Sequence, residues 1–188
     1  MMKELARLRN LAILMLMAAH IVACQASNSE HPQASSSSQA SVVAAPAKAI
    51  VPSIRYVSLS RTAGYGTCPV YSVTIDADGS ITFQGREFVK SLGKQTKHSE
   101  TAFAAVTKLV QESGFAQWKE RYVNAADGCR EHWTDNPSLF IVVDYGDHQK
   151  NLHYYRGCRG LEVGEQILKL AEGIDRVADV ARWIGKEN

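Results

Sequence analysis

The stretch Val70-Tyr71-Ser72-Val73-Thr74-Ile75-Asp76-Ala77-Asp78-Gly79-Ser80-Ile81-Thr82-Phe83-Gln84 decides the fold. Val70, Ser72 and Thr74 alternate with Tyr71, Val73 and Ile75, the period of a strand with one face buried. Asp76-Ala77-Asp78-Gly79 reads as a turn, because Gly79 takes positive φ without steric cost. Ser80–Gln84 is the return strand, so the stretch is a β-hairpin. Upstream, Ile54–Ser60 alternates in the same way and is read as a further strand. Between them, Arg61 to Pro69 is a loop carrying Gly64, Gly66 and Cys68. Downstream, Glu87–Lys97 is read as a fourth, more polar strand.

The pattern then changes period. Phe103, Val106 and Val110 recur at helical spacing, Ser99 offers an N-cap hydroxyl, and Gly114 supplies the C-terminal stop. Tyr122 to Pro137 is polar and irregular. Leu139–Tyr145 is the most apolar strand and is expected in the interior of the sheet. Gly146-Asp147-His148 turns the chain into Gln149–Tyr155. A second helix is marked by Val163, Ile167, Leu170, Ala171, Ile174 and Ala178. Gly173 is expected to break or bend it, with Asp175 able to cap a following turn. The order ββββ-α-ββ-α predicts an α+β fold, with a mainly antiparallel sheet and helices packed on one face.

The 188 residues carry 21 Lys+Arg against 19 Asp+Glu, a formal charge of +2. That balance argues against a general nucleic-acid binder. Lys3, Arg7 and Arg9 precede an apolar run from Leu11 to Ala23, too short to span a bilayer but fit for an export signal. Ile21-Val22-Ala23-Cys24 resembles the lipobox of bacterial lipoproteins. The resemblance implies cleavage after Ala23, acylation of Cys24 and, with Gln25 rather than Asp following, sorting to the outer membrane facing the periplasm. Residues 1–23 are then the signal, and their removal takes away a net +2, leaving a formally neutral chain. Residues 24–48, with Ser35-Ser36-Ser37-Ser38, Pro32 and Pro46, read as a disordered tether of roughly 25–30 Å r.m.s. span. Residues 49–188 form the folded domain.

Gly66-Thr67-Cys68-Pro69-Val70-Tyr71-Ser72-Val73 followed by Asp78-Gly79 resembles the bacterial family called domain of unknown function 6438. Gly114-Phe115, Arg121-Tyr122, Thr134-Asp135-Asn136-Pro137, Ile174-Asp175-Arg176 and Arg182-Trp183-Ile184-Gly185 continue the likeness. The family implies no activity.

Three cysteines remain in the exported domain, where disulfides are chemically permitted. The favoured bridge is Cys129–Cys158, which would tie down the irregular segment. A bridge using Cys68 is the alternative. Left free, Cys68 is either a nucleophile, with Gly64 and Gly66 admitting a substrate, or a small buried residue beside Pro69, and the latter is expected. Cys68, Tyr71 and Asp135 form a candidate functional cluster. No catalytic residue, metal or cofactor is assigned. His132, Asp135 and Ser138 have the residue types of a hydrolytic triad without its elbow motif. Cys129, His132, His153 and Cys158 have zinc-ligand chemistry without a second tight pair. Tyr65, Tyr71, Trp133, Tyr154 and Tyr155 are candidate recognition aromatics. The expected role is a lipid-anchored envelope domain that binds an envelope protein or ligand without catalysis. The competing reading is a Cys- or metal-dependent envelope enzyme centred on Cys68 or the Cys129–His132 loop.

Overall fold

The computed structural model describes residues 53–185. The expected signal, Cys24 and tether therefore lie outside the described residues. The chain runs β1 (Tyr56–Arg61), β2 (Val70–Asp76), β3 (Ser80–Glu87), β4 (Gly93–His98), α1 (Ala102–Ser113), β5 (Arg121–Tyr122), β6 (Glu131–His132), β7 (Ser138–Asp144), β8 (Gln149–Tyr155), β9 (Cys158–Arg159), α2 (Gly164–Ala178) and α3 (Ala181–Ile184). Seven strands form one sheet in the order β4-β3-β2-β1-β7-β8-β5, and β6 pairs with β9 as a separate ribbon. All pairings are antiparallel except the short β5–β8 contact. The architecture is the expected α+β fold.

Alternation explains which side is covered. Val57 and Leu59 of β1 pair across to Ile75 and Val73 of β2 and to Val143 and Ile141 of β7, and all six are buried. Against this face lie Val106 and Val110 of α1 and Ile167, Leu170, Ala171 and Ile174 of α2. The opposite face of the same strands carries Ser58, Ser60, Ser72 and Thr74, so burial follows the period-2 pattern read from sequence. β7, bonded to β1 and β8, is an interior strand as expected.

Several local expectations change. The polar strand is shorter than Glu87–Lys97. The chain leaves β3 at Glu87, passes Phe88 at φ 52°, and re-enters the sheet only at Gly93. The intervening turn is held from outside, since Lys90 and Ser91 donate backbone N–H to the Ile184 and Trp183 carbonyls. Ser99 does not cap α1 with its hydroxyl; the N-cap is Thr101, with no side-chain cap bond, and the Ser99 carbonyl accepts from Ala102 N–H. Gly114 stops the helix at φ 80°, as expected. Gly173 does not break α2, whose hydrogen-bonded run passes through it; a Cβ there would come within 3.0 Å of the Leu109 side chain, so the missing side chain lets α1 and α2 approach.

The irregular segment is tied down twice. Cys129 and Cys158 form a disulfide, 29 residues apart in sequence, and Glu131 and His132 pair with Arg159 and Cys158. Elsewhere, among the described residues, a single carboxylate is fully enclosed. Asp144, 2% exposed, accepts from Arg55 Nε and Nη2 at 2.7 and 3.1 Å, Gly146 N at 2.7 Å and Gln149 Nε2 at 3.0 Å. Those donors, Arg55 foremost, hold its carboxyl well below the usual range.

Two outcomes follow for stability. Replacing both Cys129 and Cys158 with Ala should lower the unfolding free energy by about 3–4 kcal/mol in urea titration, the chain-entropy value for a loop of this length. Because the folded Asp144 value lies below the unfolded one, its contribution is complete above the unfolded carboxylate pKa, roughly 4, and is lost as pH falls below it. The stability of Asp144→Asn should accordingly vary less with pH in that acid window than that of the parent.

Candidate binding cleft

A cleft of about 540 Å³ opens where β1 ends and β2 and β7 begin. Its floor is polar for a reason rooted in the strand period. The inward positions of β1 are Val57, Leu59 and then Arg61, so the guanidinium points to the helix-covered side. Tyr71 is its cross-strand partner and faces the same way. Asp175, one turn beyond Ala171 on the inner face of α2, meets them both. Arg61 Nε and Nη2 donate to Asp175 Oδ2 at 3.1 and 2.6 Å, and the Tyr71 hydroxyl donates to Oδ1 at 2.9 Å. The side chains of the ion pair are each only 20% exposed.

Electrostatics at this floor follow from partial burial. Desolvation raises the Asp175 carboxyl above its ordinary value against the opposing pull of Arg61 and the Tyr71 hydroxyl. Burial and the neighbouring carboxylate push Tyr71 far up, so its hydroxyl stays protonated and keeps donating. For Arg61, burial acts downward but Asp175 and Tyr71 outweigh it, and the guanidinium stays charged. Tyr71 is fixed from behind by Phe83 at 5.3 Å between ring centroids, and Phe83 by Trp183 at 5.0 Å.

Two loops make the walls. Tyr65 N–H donates to the Asp135 carbonyl at 2.7 Å, and Thr62 and Ser138 exchange N–H bonds of 3.0 and 2.8 Å with carbonyl and hydroxyl oxygens. Gly64, which would admit a substrate only under the nucleophile reading of Cys68, instead lets the loop press on Pro137, whose Cδ lies 2.6 Å from where a Cβ would stand. Cys68 is not the buried residue expected beside Pro69. It is a half-buried free thiol lining the cleft, its Sγ 3.8 Å from the Tyr65 carbonyl. Arg156 is an exposed cation at the edge of the same cleft, with no ion-pair partner among the described residues.

Cys68 and Tyr71 thus line one cavity, while Asp135 lines an adjoining hollow that shares Cys68, Pro137 and Arg156. Asp135 sits at φ 60° and contributes its backbone carbonyl to the loop contact. Asp175 does not cap a following turn with its side chain, as the sequence suggested; its carboxylate is spent on Arg61 and Tyr71. Arg61, Asp175 and Arg156 lie outside the cluster of Cys68, Tyr71 and Asp135 expected from sequence. The first two carried a signal, since each is a charge in register with the apolar positions of its own element.

The other constellations come apart. Ser138 Oγ lies 3.0 Å from His153 Nε2 rather than near His132, and the His153 ring stacks on Phe140 on the uncovered sheet face. Burial, aided by the Arg121 charge, lowers His153 below its ordinary value. Among the described residues no carboxylate hydrogen-bonds its other ring nitrogen, so the pair lacks the third member of a triad. His132 stacks on Tyr155. The disulfide takes the sulfurs that zinc would need, and among the described residues no group of three or more metal-binding side chains converges. Of the aromatics, Tyr65 and Trp133 are 88% and 54% exposed, whereas Tyr71 and Tyr154 are buried.

The profile of a domain of unknown function, DUF6438, matches residues 55–178, and the chain belongs to that family. No curated protein matches the chain. The matched span holds the floor of the cleft, Arg61, Tyr71 and Asp175, together with Cys68 and Arg156.

The loop contact is open to test. Gly64→Ala should cost about 1–3 kcal/mol, because its Cβ meets proline ring and backbone that cannot swing aside. It should also speed alkylation of Cys68 by iodoacetamide, read by mass spectrometry, as the wall is pushed off Pro137.

Proposed function

We propose that this protein is exported, fastened to the membrane by acyl chains on Cys24, and presents its folded domain to the periplasm from the outer membrane as a ligand-binding module. The anchor rests on the basic start, the short apolar run and Ile21-Val22-Ala23-Cys24, with Gln25 supporting the outer membrane. Residues 24–48 supply the reach that keeps the domain clear of the lipid. A disulfide between Cys129 and Cys158 is the sulfur state that an oxidising compartment favours.

Binding rather than turnover is supported by the occupancy of the cleft's own groups. Asp175 already accepts three hydrogen bonds, and its partners are a permanently charged guanidinium and a hydroxyl held protonated. Tyr71 and Arg61 are not poised to move a proton near neutral pH. Cys68, the nucleophile at the mouth, has a backbone carbonyl as its hydrogen-bond partner rather than a base. A second reading, a thiol enzyme at Cys68, is favoured by one observation: the thiol is free and lines the cleft.

Mass spectrometry of the purified full chain should find a product that starts at acylated Cys24. Cys24→Ser should abolish incorporation of labelled palmitate and leave the protein out of the membrane fraction. An unacylated chain that retains residues 1–23 would overturn the anchor. Alkylation of Cys68 at neutral pH no faster than that of a model thiol supports binding; markedly faster alkylation, with turnover lost in Cys68→Ser, would establish the enzyme instead.

A further inference from the structure

We infer that the cleft takes the carboxylate of a small, singly charged organic anion, held on the free edge of the Arg61 guanidinium with Arg156 as the second cation. The inference rests on the binding reading above and names its ligand class. Arg61 carries five N–H donors in a planar fork. Asp175 uses the side formed by Nε and one N–H of Nη2. The end formed by Nη1 and the remaining Nη2 hydrogen has no hydrogen-bond acceptor among the described residues, on a residue that lines the cavity. That end has the spacing of two carboxylate oxygens, which is why guanidinium–carboxylate pairs are so often bidentate.

The fork is also held still. Arg61 is clamped by Asp175, Asp175 by Tyr71, and Tyr71 by the Phe83–Trp183 stack. A free arginine would lose rotamer entropy on binding; one already fixed loses little, which raises the affinity available from the same contacts. In this arrangement Asp175 and Tyr71 are positioning residues, and Arg61 is the one that touches the ligand.

Charge and size narrow the ligand. The charged residues lining the cleft are Arg61, Arg156 and Asp175, a net +1. A monoanion balances that sum, whereas a phosphate dianion leaves excess negative charge beside Asp175. The volume of about 540 Å³ is that of a small-molecule site. Pro69, Pro137 and Ile184 offer apolar wall to a short carbon body, and Thr67 adds a hydroxyl.

The probes are butanoate, its uncharged isostere butanamide, and inorganic phosphate, each titrated into the detergent-solubilised full chain. The readouts are the rate of Cys68 alkylation by iodoacetamide and NMR shifts of arginine Nε–H signals. Butanoate should slow alkylation saturably and shift the Arg61 signal, with butanamide inert at equal concentration. Arg61→Lys keeps a cation for Asp175 but removes the fork, and should weaken butanoate by about tenfold, the loss expected for a charge-assisted bond. Arg156→Gln, at an exposed position, should weaken it less. Tyr71→Phe should broaden the Arg61 signal and weaken butanoate. Melting temperatures near the parent's qualify each variant for comparison. Equal effects of butanoate and butanamide, or unchanged butanoate binding in both arginine variants, would overturn the inference. Saturable phosphate binding without butanoate binding would overturn the carboxylate class but leave a binding cleft. Rapid Cys68 alkylation with turnover would instead remove the binding reading beneath it.

Discussion

Both long helices lie on one side of the sheet, so the buried apolar residues of β1, β2, β3, β7 and β8 face that same side. This constraint organises the molecule. It fixes the register of β1 against β2 and β7 at once, because a slip of one residue would send Val57 and Leu59 to the open face and bring Ser58 and Ser60 into the core. It also leaves the sheet with two unlike surfaces. One is sealed by α1 and α2; the other is a field of serine, threonine and a few aromatic side chains. A polar residue that obeys the period but sits at an inward position is then an exception that the structure must accommodate.

Arg61 and Asp175 are that exception, and they accommodate each other. Taking two charges partly out of water is costly, and an ion pair of this kind is weak evidence for stability by itself. A Val-Leu continuation at Arg61 and an alanine at Asp175 would satisfy the same periodicity. What the pair adds is directional: three hydrogen bonds that lock the end of β1, the start of β2 and the last turn of α2 into one geometry at the wall of a cavity. The contrast with Arg55 and Asp144 is informative. There the carboxylate is enclosed by four donors, and the contact ties the β7–β8 turn to the residue before β1 without any cavity. The same pair of residue types serves closure in one place and leaves a usable guanidinium edge in the other.

The hairpin, the two helices and the α+β class were readable because each rests on a repeating pattern of several residues: Val73 and Ile75 against Ser72 and Thr74, or Ile167, Leu170, Ala171 and Ile174 on one side of α2. The failures rest on single residues. Ser99 looked like a cap, but helix α1 starts three residues later, at Ala102, with Thr101 as its N-cap and no side-chain cap bond. Gly64 looked like access for a substrate, but its partner is Pro137, seventy-three positions away, and no local pattern announces that approach. The candidate cluster was half visible for the same reason. Cys68 and Tyr71 belong to one short motif, while the atoms that give Tyr71 its role arrive from Arg61 across a loop and Asp175 from the far end of the chain.

Oxidation and binding are joined through the backbone. Arg156 stands two residues before Cys158, and the segment between is threaded past the loop that carries Trp133, whose N–H bonds to the Gly157 carbonyl at 2.9 Å. Arg156 N–H in turn donates to the Pro137 carbonyl at 3.0 Å, and Pro137 is the residue against which Gly64 packs. The bridge at Cys129 therefore braces one rim of the cleft, while the Tyr71–Phe83–Trp183 stack braces its floor. The two braces are independent. The floor is held by the Tyr71–Phe83–Trp183 stack and the hydrogen bonds on Asp175, none of which involves sulfur. The rim that carries the second cation is held by a bond that an oxidising compartment maintains. The Arg156 N–H bond to the Pro137 carbonyl and the bridge at Cys158 both hold the segment that carries the second cation, and the joined sulfurs are the state expected in the proposed compartment.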